Sequence, residues 1–348
     1  MASTVSINIV AWNSMSFIPD LMKSIMAQTY RDFNVLVIDN GSTDGVGAFL
    51  REHYPDAMTI RNARNLGFSA AHNQGIRYAL EHWDASEANA RFILVTNPDI
   101  LLTPTFLEEL MAAARAHPEA GSFGGKLLRA FGENLSDEVM KETIHSDRID
   151  STGLRPHRNL TVTDRGAGEL DQGHYDALEP VFGVSGALAL YRGGALQEAR
   201  QDDEIFDQDF FAYKEDVDLA WRLQQLGWDA IYVPQAKAYH YRGMYGPEKT
   251  GMFQKLKNWR SKPAIRNYLS TRNHWLMLIK NIQPIHALLA LPWALPHEVA
   301  RFLYVAVFDQ GIKASFSVLR LLPSLFKKRS LMRAKRRRPA RELRRWFI

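Results

Sequence analysis

Short apolar runs alternate with amphipathic stretches through the first 120 residues. This alternation is typical of strands and crossover helices in a largely parallel sheet. The short runs predict strands over 6–11, 35–38, 58–61 and 92–96. The helical spacing of other apolar residues predicts helices around 18–25, 49–50, 68–80 and 106–111, and Thr103 is expected to cap the last one. The first part of the chain is therefore predicted to consist of repeated β-α units.

The pattern changes after residue 130. Residues 130–180 are polar, glycine-spotted and weakly periodic, which predicts a long excursion with little regular structure. A strand at 184–191 and a helix at 214–226, closed by Gly227, are predicted to follow. From residue 259 the composition shifts to Trp, Leu, His and Pro. We therefore predict three parts, namely a catalytic domain over 1–258, an amphipathic helical region over 259–326 and a basic tail over 327–348.

Positive charge is concentrated in the tail. Eleven Lys or Arg and one Glu after residue 326 give it +10, so the preceding residues carry −5 within a net charge of +5. The tail is therefore predicted to be an appendage of an acidic body. The chain has no cysteine, which excludes disulfides, thiolate metal sites and a thiol nucleophile. Its first residues lead into a predicted strand without the features of a targeting segment, so a cytoplasmic location is expected.

Polar turns follow three of the predicted strands. They are Ala11-Trp12-Asn13, the turn from Asp39 to Asp44, and Thr96-Asn97-Pro98-Asp99. Ligands in open α/β sheets bind outside the carboxyl ends of the strands, so these turns form the first candidate site. Asn, Gly and Asp also make ordinary tight turns, and that interpretation applies to any one of the three alone. Three such turns at one sheet edge favour a ligand with hydroxyls, a nucleobase and a diphosphate.

The turn Asn97-Pro98-Asp99 is a candidate metal site, because proline fixes it between two oxygen-bearing side chains. Mg²⁺ and Mn²⁺ prefer oxygen ligands and share their remaining positions with water and phosphate. Asn97 supplies a neutral oxygen where a second carboxylate would bind more tightly, so weak binding is expected before a donor's phosphates join. His240 is either a packed histidine or a further ligand.

A second constellation occupies residues 210–222. Glu215, Asp216 and Asp218 fall in the first turn of a predicted helix, where the helix dipole favours acids, so a structural role is one interpretation. The aromatic residues before them and Arg222 after them favour a walled pocket instead. In such a pocket a carboxylate can act as a general base.

The motifs described above, together with several stretches between them, resemble the family 2 glycosyltransferases with a GT-A fold, in particular the branch that includes bacterial rhamnosyltransferases. The resemblance extends over residues 5–245. It is carried by the ordered set 37–44, 65–75, 97–99, 183–187, 210–222 and His240. The Gln-x-x-Arg-Trp signature of processive members is not evident, which favours the addition of one or a few sugars.

The resemblance implies a Rossmann-like, mostly parallel sheet flanked by helices, with a C-terminal helical extension. It also implies an inverting transferase of the hexosyltransferase type that uses a nucleotide-diphosphate sugar and Mn²⁺ or Mg²⁺. L-Rhamnose from dTDP-rhamnose is favoured over UDP-hexose, UDP-N-acetylhexosamine and UDP-galactofuranose. The acceptor is expected to be a saccharide of cell-surface polysaccharide assembly, with a polyprenyl-diphosphate-linked one favoured.

The resemblance also implies residue roles. Asp216 would be the catalytic base and Glu215 its neighbour at the acceptor. Asp99 would be the main metal ligand, with His240 and Asn97 as companions. Asp39 would contact the nucleobase, in a donor-binding set that comprises Ala11, Asn13, Asp39, Asn65, Asn97 and Arg222.

Residues 285–308 form a stretch rich in apolar and aromatic residues, which is typical of a segment that contacts a membrane. It is interrupted by Pro292, Pro296, Glu298 and Arg301, so no run approaches the roughly 20 apolar residues that a bilayer crossing needs. We expect a peripheral position at the inner face of the plasma membrane, with the tail on anionic lipid; a packed helical subdomain is the alternative. Nucleic-acid binding by the tail is less favoured, because the body is acidic and carries no recognition motif. A nucleotide-sugar-binding protein without catalysis is the remaining alternative.

Overall fold

The computed structural model describes residues 3–132, 143–241, 264–308 and 311–347. Its strands are β1 (Val5–Ala11), β2 (Phe33–Asp39), β3 (Met58–Arg61), β4 (Phe92–Thr96), β5 (Ile100–Leu102), β6 (Ala120–Gly132), β7 (Thr143–Ser151), β8 (Leu154–Pro156), β9 (Val162–Asp164), β10 (Glu179–Val181), β11 (Leu188–Arg192) and β12 (Asp229–Tyr241). Its α-helices are α1 (Ile18–Met26), α2 (Val46–His53), α3 (Gly67–His82), α4 (Phe106–Ala116), α5 (Gly193–Ala199), α6 (Glu215–Leu226), α7 (Ala264–Asn281), α8 (Pro284–Phe308), α9 (Gly311–Lys335) and α10 (Ala340–Leu343).

One large sheet organises the described part of the chain. Its order is β10-β12-β6-β11-β4-β1-β2-β3, with β5 beside β12 and β7 beside β6. The strands β3, β2, β1 and β4 are parallel, whereas β11 runs antiparallel to both β4 and β6. The α/β class predicted from the apolar pattern is confirmed, and the sheet is mixed. Because β1, β2 and β4 are parallel, the polar turns that follow them lie at one edge.

Strand β4 shows why a central strand of this sheet is apolar at every position. All five of its residues are buried. Leu94 packs in a cluster with residues of α1 and α4, whereas Ile93 and Val95 pack in a second cluster with residues of α3 and α6. Helices therefore cover both faces of the sheet, and successive side chains on the strand must both be apolar.

Residues 143–181 are more ordered than the sequence indicated. Strand β7 pairs with β6, β10 pairs with β12, and β8 forms a small separate sheet with β9. The prediction of little regular structure is wrong for these residues. Strands β8, β9 and β10 have three residues each, which is too short to display an apolar period.

The expected cap of α4 is also wrong. The helix begins at Phe106 and its N-cap residue is Thr105. The hydroxyl of Thr103 instead donates to the carbonyl oxygen of Lys237 at 2.6 Å. A threonine hydroxyl both donates and accepts, and here a carbonyl on β12 is its partner in place of a helix N–H.

The helices α7 and α9 pack against the body of the protein. Leu276 and Met277 of α7 and Leu325 of α9 share an apolar cluster with Trp221 of α6. Helix α9 continues across the boundary between residues 326 and 327, where the basic tail was predicted to begin. The boundary predicted at position 258 lies outside the described residues.

Cations of the tail are held by carboxylates of the body. Nζ of Lys328 lies 2.5 Å from Oδ1 of Asp207, and Nη2 of Arg338 lies 2.7 Å from Oδ1 of Asp229. The tail is therefore not the free appendage that its composition suggested, because part of its charge neutralises acids of the body. Among the described residues, no helix combines the length and apolarity that crossing a membrane requires.

Candidate functional site

The ends of β1 and β2 are tied together by backbone and side-chain hydrogen bonds. The carbonyl oxygen of Ala11 accepts from the backbone N–H of Asn40 at 2.7 Å. Oδ1 of Asn13 accepts from the N–H of Thr43 at 2.8 Å, and Asn13 adopts a left-handed backbone conformation with φ 48°. These bonds hold the first two polar turns side by side and place Ala11 and Asn13 in the wall between them.

Asp39 lies at the carboxyl end of β2, and one of its carboxylate oxygens accepts no hydrogen bond from the described residues. Its side chain is fully buried, and Oδ1 accepts from the N–H of Ser42 at 2.8 Å. Oδ2 is 3.5 Å from Nη1 of Arg61 and forms no hydrogen bond within the described part of the chain. A buried acceptor without a hydrogen bond is costly, so this oxygen is suited to receive a donor from a ligand.

The loop before α3 forms the next wall of this pocket. Oδ1 of Asn65 accepts from the N–H of Gly67 and from Nδ2 of Asn40, both at 2.8 Å. Gly67 has φ 82°, and a Cβ at this position would lie 2.5 Å from the ring of Phe211. Asn65 therefore shapes the loop, and Gly67 allows that loop to approach the segment before α6.

The turn after β4 meets the end of β12. The backbone N–H of Asn97 donates to the carbonyl oxygen of Ala187, and the carbonyl oxygen of Asp99 accepts from the N–H of Tyr241, each at 2.9 Å. Oδ1 of Asp99 is 3.4 Å from Nε2 of His240. This oxygen is buried and has no hydrogen-bond partner among the described residues. Asp99 and His240, 141 positions apart in the sequence, therefore converge.

His240 is oriented by a carboxylate that sequence reasoning missed. Its Nδ1 lies 2.8 Å from Oδ2 of Asp150, a fully buried residue of β7. Burial by itself would lower the pKa of His240, but the hydrogen bond to Asp150 and the negative charges of Asp99 and Asp150 raise it to about 9. Asp150 lies in the segment for which little regular structure was predicted, and no local pattern marks it.

Asp99 and His240 are suited to hold a divalent metal together with ligands from outside the chain. Within the described residues there is no group of three or more acidic, histidine or cysteine side chains that could hold a metal. The oxygen of Asp99 without a hydrogen bond and Nε2 of His240, which must lose its proton to bind a metal, nevertheless offer two ligands, and Asn97 belongs to the same turn as Asp99. Cations such as Mg²⁺ commonly take one or two protein carboxylates and complete their shell with phosphate and water.

Asp216 lies in the first turn of α6 and faces the loop before β11. Its Oδ2 accepts from the N–H of Gly186 at 2.9 Å, and the side chain is partly exposed. A Cβ on Gly186 would lie 2.9 Å from Cβ of Asp216, so only glycine permits this approach. The neighbouring Ala187 accepts from Asn97, and one short loop therefore joins the carboxylate of Asp216 to the candidate metal turn.

Glu215 is placed differently from its neighbour. Its side chain is buried, and Oε2 has no hydrogen-bond partner in the described chain. Burial, reinforced by the negative charge of Asp216, raises the pKa of Glu215 to about 8. Glu215 is therefore mostly protonated near neutral pH.

Arg222 does not reach this site. Its guanidinium is buried and donates to Oδ2 of Asp218 at 2.9 Å and to the carbonyl oxygens of Ala199 and Ile205. These bonds occupy all three nitrogens inside the protein. We therefore remove Arg222 from the donor-binding candidates and assign it to the anchoring of α6.

Two known families match successive parts of the chain. Residues 6–162 match the family described as glycosyl transferase family 2, and residues 167–312 match glycosyl transferase family group 2. The N-acetylglucosaminyl-diphospho-decaprenol L-rhamnosyltransferase of Mycobacterium tuberculosis is 29% identical over 245 residues, which are 70% of this chain and 77% of that protein. The cholesterol galactosyltransferase of Borreliella burgdorferi is 29% identical over 115 residues, 32% of this chain and 29% of that protein.

Solved structures share the fold at lower identity. The mannosyltransferase PcManGT from Pyrobaculum calidifontis, in complex with GDP-Man and Mn²⁺, superposes with a TM-score of 0.51 and 18% identity, over 96% of this chain and 86% of that one. GalNAc-T7 with UDP, GalNAc and Mn²⁺ gives a TM-score of 0.54 and 14% identity, over 80% of this chain and 48% of that one. The chain belongs to the family 2 glycosyltransferases, has the GT-A fold, and resembles the rhamnosyltransferase branch of the family.

Proposed function

We propose that this glycosyltransferase moves L-rhamnose from dTDP-rhamnose to a hydroxyl of a polyprenyl-diphosphate-linked saccharide, with inversion at the anomeric carbon. The observation that carries the proposal is the hydrogen bond from Gly186 to Asp216, which holds a partly exposed carboxylate on the loop that also binds Asn97. The choice of rhamnose and of a lipid-linked acceptor follows the M. tuberculosis relative, an L-rhamnosyltransferase that acts on N-acetylglucosaminyl-diphospho-decaprenol.

The nucleoside is proposed to bind between the turns after β1 and β2. Oδ2 of Asp39 has no hydrogen bond there within the described residues, and thymine offers the N3–H that would donate to it. Ala11, Asn13 and Asn65 form the walls. Uracil carries the same N3–H, so UDP-hexose, UDP-N-acetylhexosamine and UDP-galactofuranose are the competing donors.

Asp216 is proposed to be the base. As the acceptor oxygen forms its bond to the anomeric carbon, the bond from that carbon to the diphosphate oxygen breaks on the opposite face, and the acceptor proton passes to Oδ1 or Oδ2 of Asp216. Glu215 stays in the proposal as a neighbour that is neutral near pH 7, so it adds no second charge beside the base. General-base catalysis of this kind contributes about 10²-fold to 10⁴-fold.

Asp99, His240 and Asn97 are proposed to hold Mn²⁺ or Mg²⁺ together with the donor diphosphate. When bound there, the cation would neutralise charge on the departing nucleotide. Asp150 supports the site by holding the imidazole ring of His240, so that its Nε2 faces Asp99.

The test is turnover with a panel of nucleotide sugars. The purified chain is incubated with Mn²⁺, decaprenyl-diphospho-N-acetylglucosamine and either dTDP-rhamnose or one of the three UDP sugars, and nucleotide release and product are measured. We expect acceptor-dependent turnover with dTDP-rhamnose. Faster turnover with a UDP sugar would reject the proposed donor, and transfer to a lipid-free saccharide at the same rate would reject the proposed acceptor.

The same assay tests the base. Asp216→Asn is expected to lower kcat at least about 100-fold while nucleotide binding is retained, because the amide cannot take the proton. Asp20→Asn on the exposed surface of α1 is the matched control and should keep the parental rate. An Asp216→Asn protein with near-parental turnover would refute the assignment.

A membrane surface is proposed to cover the outer face of α8. Leu288, Leu291, Leu295, Val299 and Phe302 recur at helical spacing, and each is about half exposed or more. Helix α9 adds exposed Phe316 and Leu319, with the exposed cations Lys313 and Arg320 at neighbouring positions of the same helix. An apolar face with interleaved cations fits an anionic bilayer surface.

Vesicle flotation tests this surface. We expect the full chain to bind vesicles with phosphatidylglycerol more strongly than vesicles of phosphatidylcholine alone. The triple variant Leu288→Glu, Leu295→Glu and Phe302→Glu should abolish binding, whereas Met58→Glu at the far edge of the sheet should not. No binding by the parent, or equal binding to both lipids, would reject an anionic membrane as the partner; dimerisation through this face would assign it to a second copy.

A further inference from the structure

The segment just before α6 has an unusual backbone. Phe211, Tyr213 and Lys214 have φ values of 64°, 73° and 69°, in the left-handed region that bulky residues rarely adopt. The segment leads directly into Glu215 and the proposed base Asp216. Such conformations persist only where the surrounding structure holds them, and they are concentrated at functional sites.

Two adjacent side chains of α7 bind this segment. Nη2 of Arg272 donates to the carbonyl oxygens of Asp209 at 2.5 Å and Phe210 at 3.1 Å, and Asn273 makes the remaining bonds. Nδ2 of Asn273 lies 2.8 Å from each of three backbone carbonyl oxygens, those of Phe210, Ala212 and Tyr213. Asn273 is fully buried, and its own Oδ1 accepts from Nε of Arg272 at 2.9 Å. Two amide protons therefore serve three acceptors that no regular helix or strand satisfies.

Helix α7 is itself fixed to the helix that carries the base. Nζ of Lys280 lies 2.9 Å from Oδ2 of Asp218, and Nδ2 of Asn281 donates to Oδ1 of the same residue at 2.7 Å. Asp218 is fully buried, two positions after Asp216 in α6. Helix α7 therefore binds two adjacent parts of the chain. Asn273 binds the segment before α6, and Lys280 and Asn281 at the end of α7 bind the first turn of α6.

The held segment also contacts the donor side of the site. The carbonyl oxygen of Phe211 accepts from the N–H of Ser69 at 3.2 Å, and its ring packs on Gly67. Phe211 and Tyr213 remain exposed by 39% and 42%, so the left-handed backbone presents two aromatic rings outward beside the base. A purely structural role in the core would not require that Asn273 contact three carbonyl oxygens of one irregular segment beside the proposed base.

We infer that Asn273 is a positioning residue for catalysis: its amide fixes the backbone of residues 210–213 and thereby the direction in which Asp216 presents its carboxylate to the acceptor. The inference rests on the proposed role of Asp216. It makes α7 a part of the active site.

Two variants of Asn273 test the inference. Asn273→Asp keeps the size and the acceptor oxygen for Arg272 but replaces the donating amide with an oxygen that faces three carbonyls. Asn273→Ala removes the side chain. Both are expected to lower kcat about 100-fold or more, because small misplacements of a reacting group have effects of this size. The KM for the nucleotide sugar and the binding of dTDP with Mn²⁺ are expected to stay within about threefold.

Met277→Ala is the matched control, because this fully buried residue lies one turn further along α7 and packs in the apolar cluster. It should lower the thermal midpoint yet keep kcat within about threefold well below that temperature. A folded Asn273 variant with parental kcat would overturn the inference. Equal losses of kcat in Met277→Ala and Asn273→Ala at equal thermal midpoints would also overturn it. If Asn273→Asp fails to fold, Asn273→Ala is judged by the same criteria.

Asp216→Asn in the same assay separates the two claims. If Asp216→Asn is inactive and the Asn273 variants are active, the positioning role fails while the proposed base stands. If Asp216→Asn keeps the parental rate, the proposed base fails and the positioning role fails with it.

Discussion

Nδ1 of His240 lies 2.8 Å from Oδ2 of Asp150, a fully buried carboxylate that precedes it by 90 positions. This bond fixes the imidazole ring with Nε2 toward Asp99. In metal sites, a carboxylate behind a ligating histidine sets the tautomer and raises the basicity of the ligand. The pairing therefore supports the proposed metal site even though Asn97 replaces a second carboxylate in the turn.

Asp150→Asn is expected to weaken metal binding about 10-fold to 100-fold, because the amide keeps the size of the side chain but loses its charge behind His240. The measurement is the Mn²⁺ concentration that gives half-maximal nucleotide release. Asp203→Asn, at an exposed acid paired with Arg200, is the control. An unchanged Mn²⁺ requirement in Asp150→Asn would show that this carboxylate does not support a metal ligand.

Asp39→Asn is expected to weaken nucleotide binding about 10-fold or more, a change of about 1.4 kcal/mol or more. The oxygen of the amide can still accept from Ser42, as Oδ1 of Asp39 does at 2.8 Å, so the turn is retained. The amide nitrogen of the variant then faces the N3–H of the nucleobase. Both groups are hydrogen-bond donors, so no hydrogen bond forms between them. Titration with dTDP and with UDP measures the effect. If parent and variant bind the nucleotide with equal affinity, the nucleobase does not contact Asp39.

The buried acid Glu215 is expected to make stability depend on pH. Burial and the nearby charge of Asp216 raise its pKa from 4.5 to about 8, so between these values the folded state holds a proton that the unfolded state has lost. Stability from this group therefore falls as pH rises through that window, by up to about 1.4 kcal/mol per pH unit. Glu215→Gln should match the parent near pH 4.5 and become progressively more stable than it toward pH 8.

Thermal unfolding of both proteins at several pH values measures this difference. Glu81→Gln, at an exposed acid of α3, controls for the loss of one carboxyl group. A difference between parent and Glu215→Gln that stays constant from pH 4.5 to 8 would contradict the raised pKa.

Lys280→Met is expected to destabilise the protein by up to about 3–5 kcal/mol, because it removes the buried cation that Asp207 and Asp218 share and leaves them only Lys328 and Arg222. Nζ of Lys280 lies 2.6 Å from Asp207 and 2.9 Å from Asp218, and all three side chains are almost fully buried. Lys327→Met, in an exposed pair with Asp202, should cost less than about 1 kcal/mol. Urea unfolding measures both, and similar small losses would mean that the buried network contributes little.

The sequence by itself determined the strands β1 to β4, the turns that follow three of them, and the family. These features are local, since a short apolar run favours a strand and a cluster of Asn, Asp, Gly and Pro favours a turn after it. Asp39 and Asp99 could therefore be placed at one sheet edge from their positions after strands. The same locality explains the errors, because three-residue strands such as β8 show no period and Thr103 finds a distant carbonyl.

Only the tertiary structure decided which polar groups meet inside the protein. Asp150 meets His240 across 90 positions, and Asn273 meets the carbonyl oxygen of Tyr213 across 60. Arg222 looked like a ligand-binding cation beside the acids, but its nitrogens bond inward. A buried polar group is costly unless it forms a hydrogen bond or an ion pair. Which group it can bond depends on how segments distant in the sequence pack together.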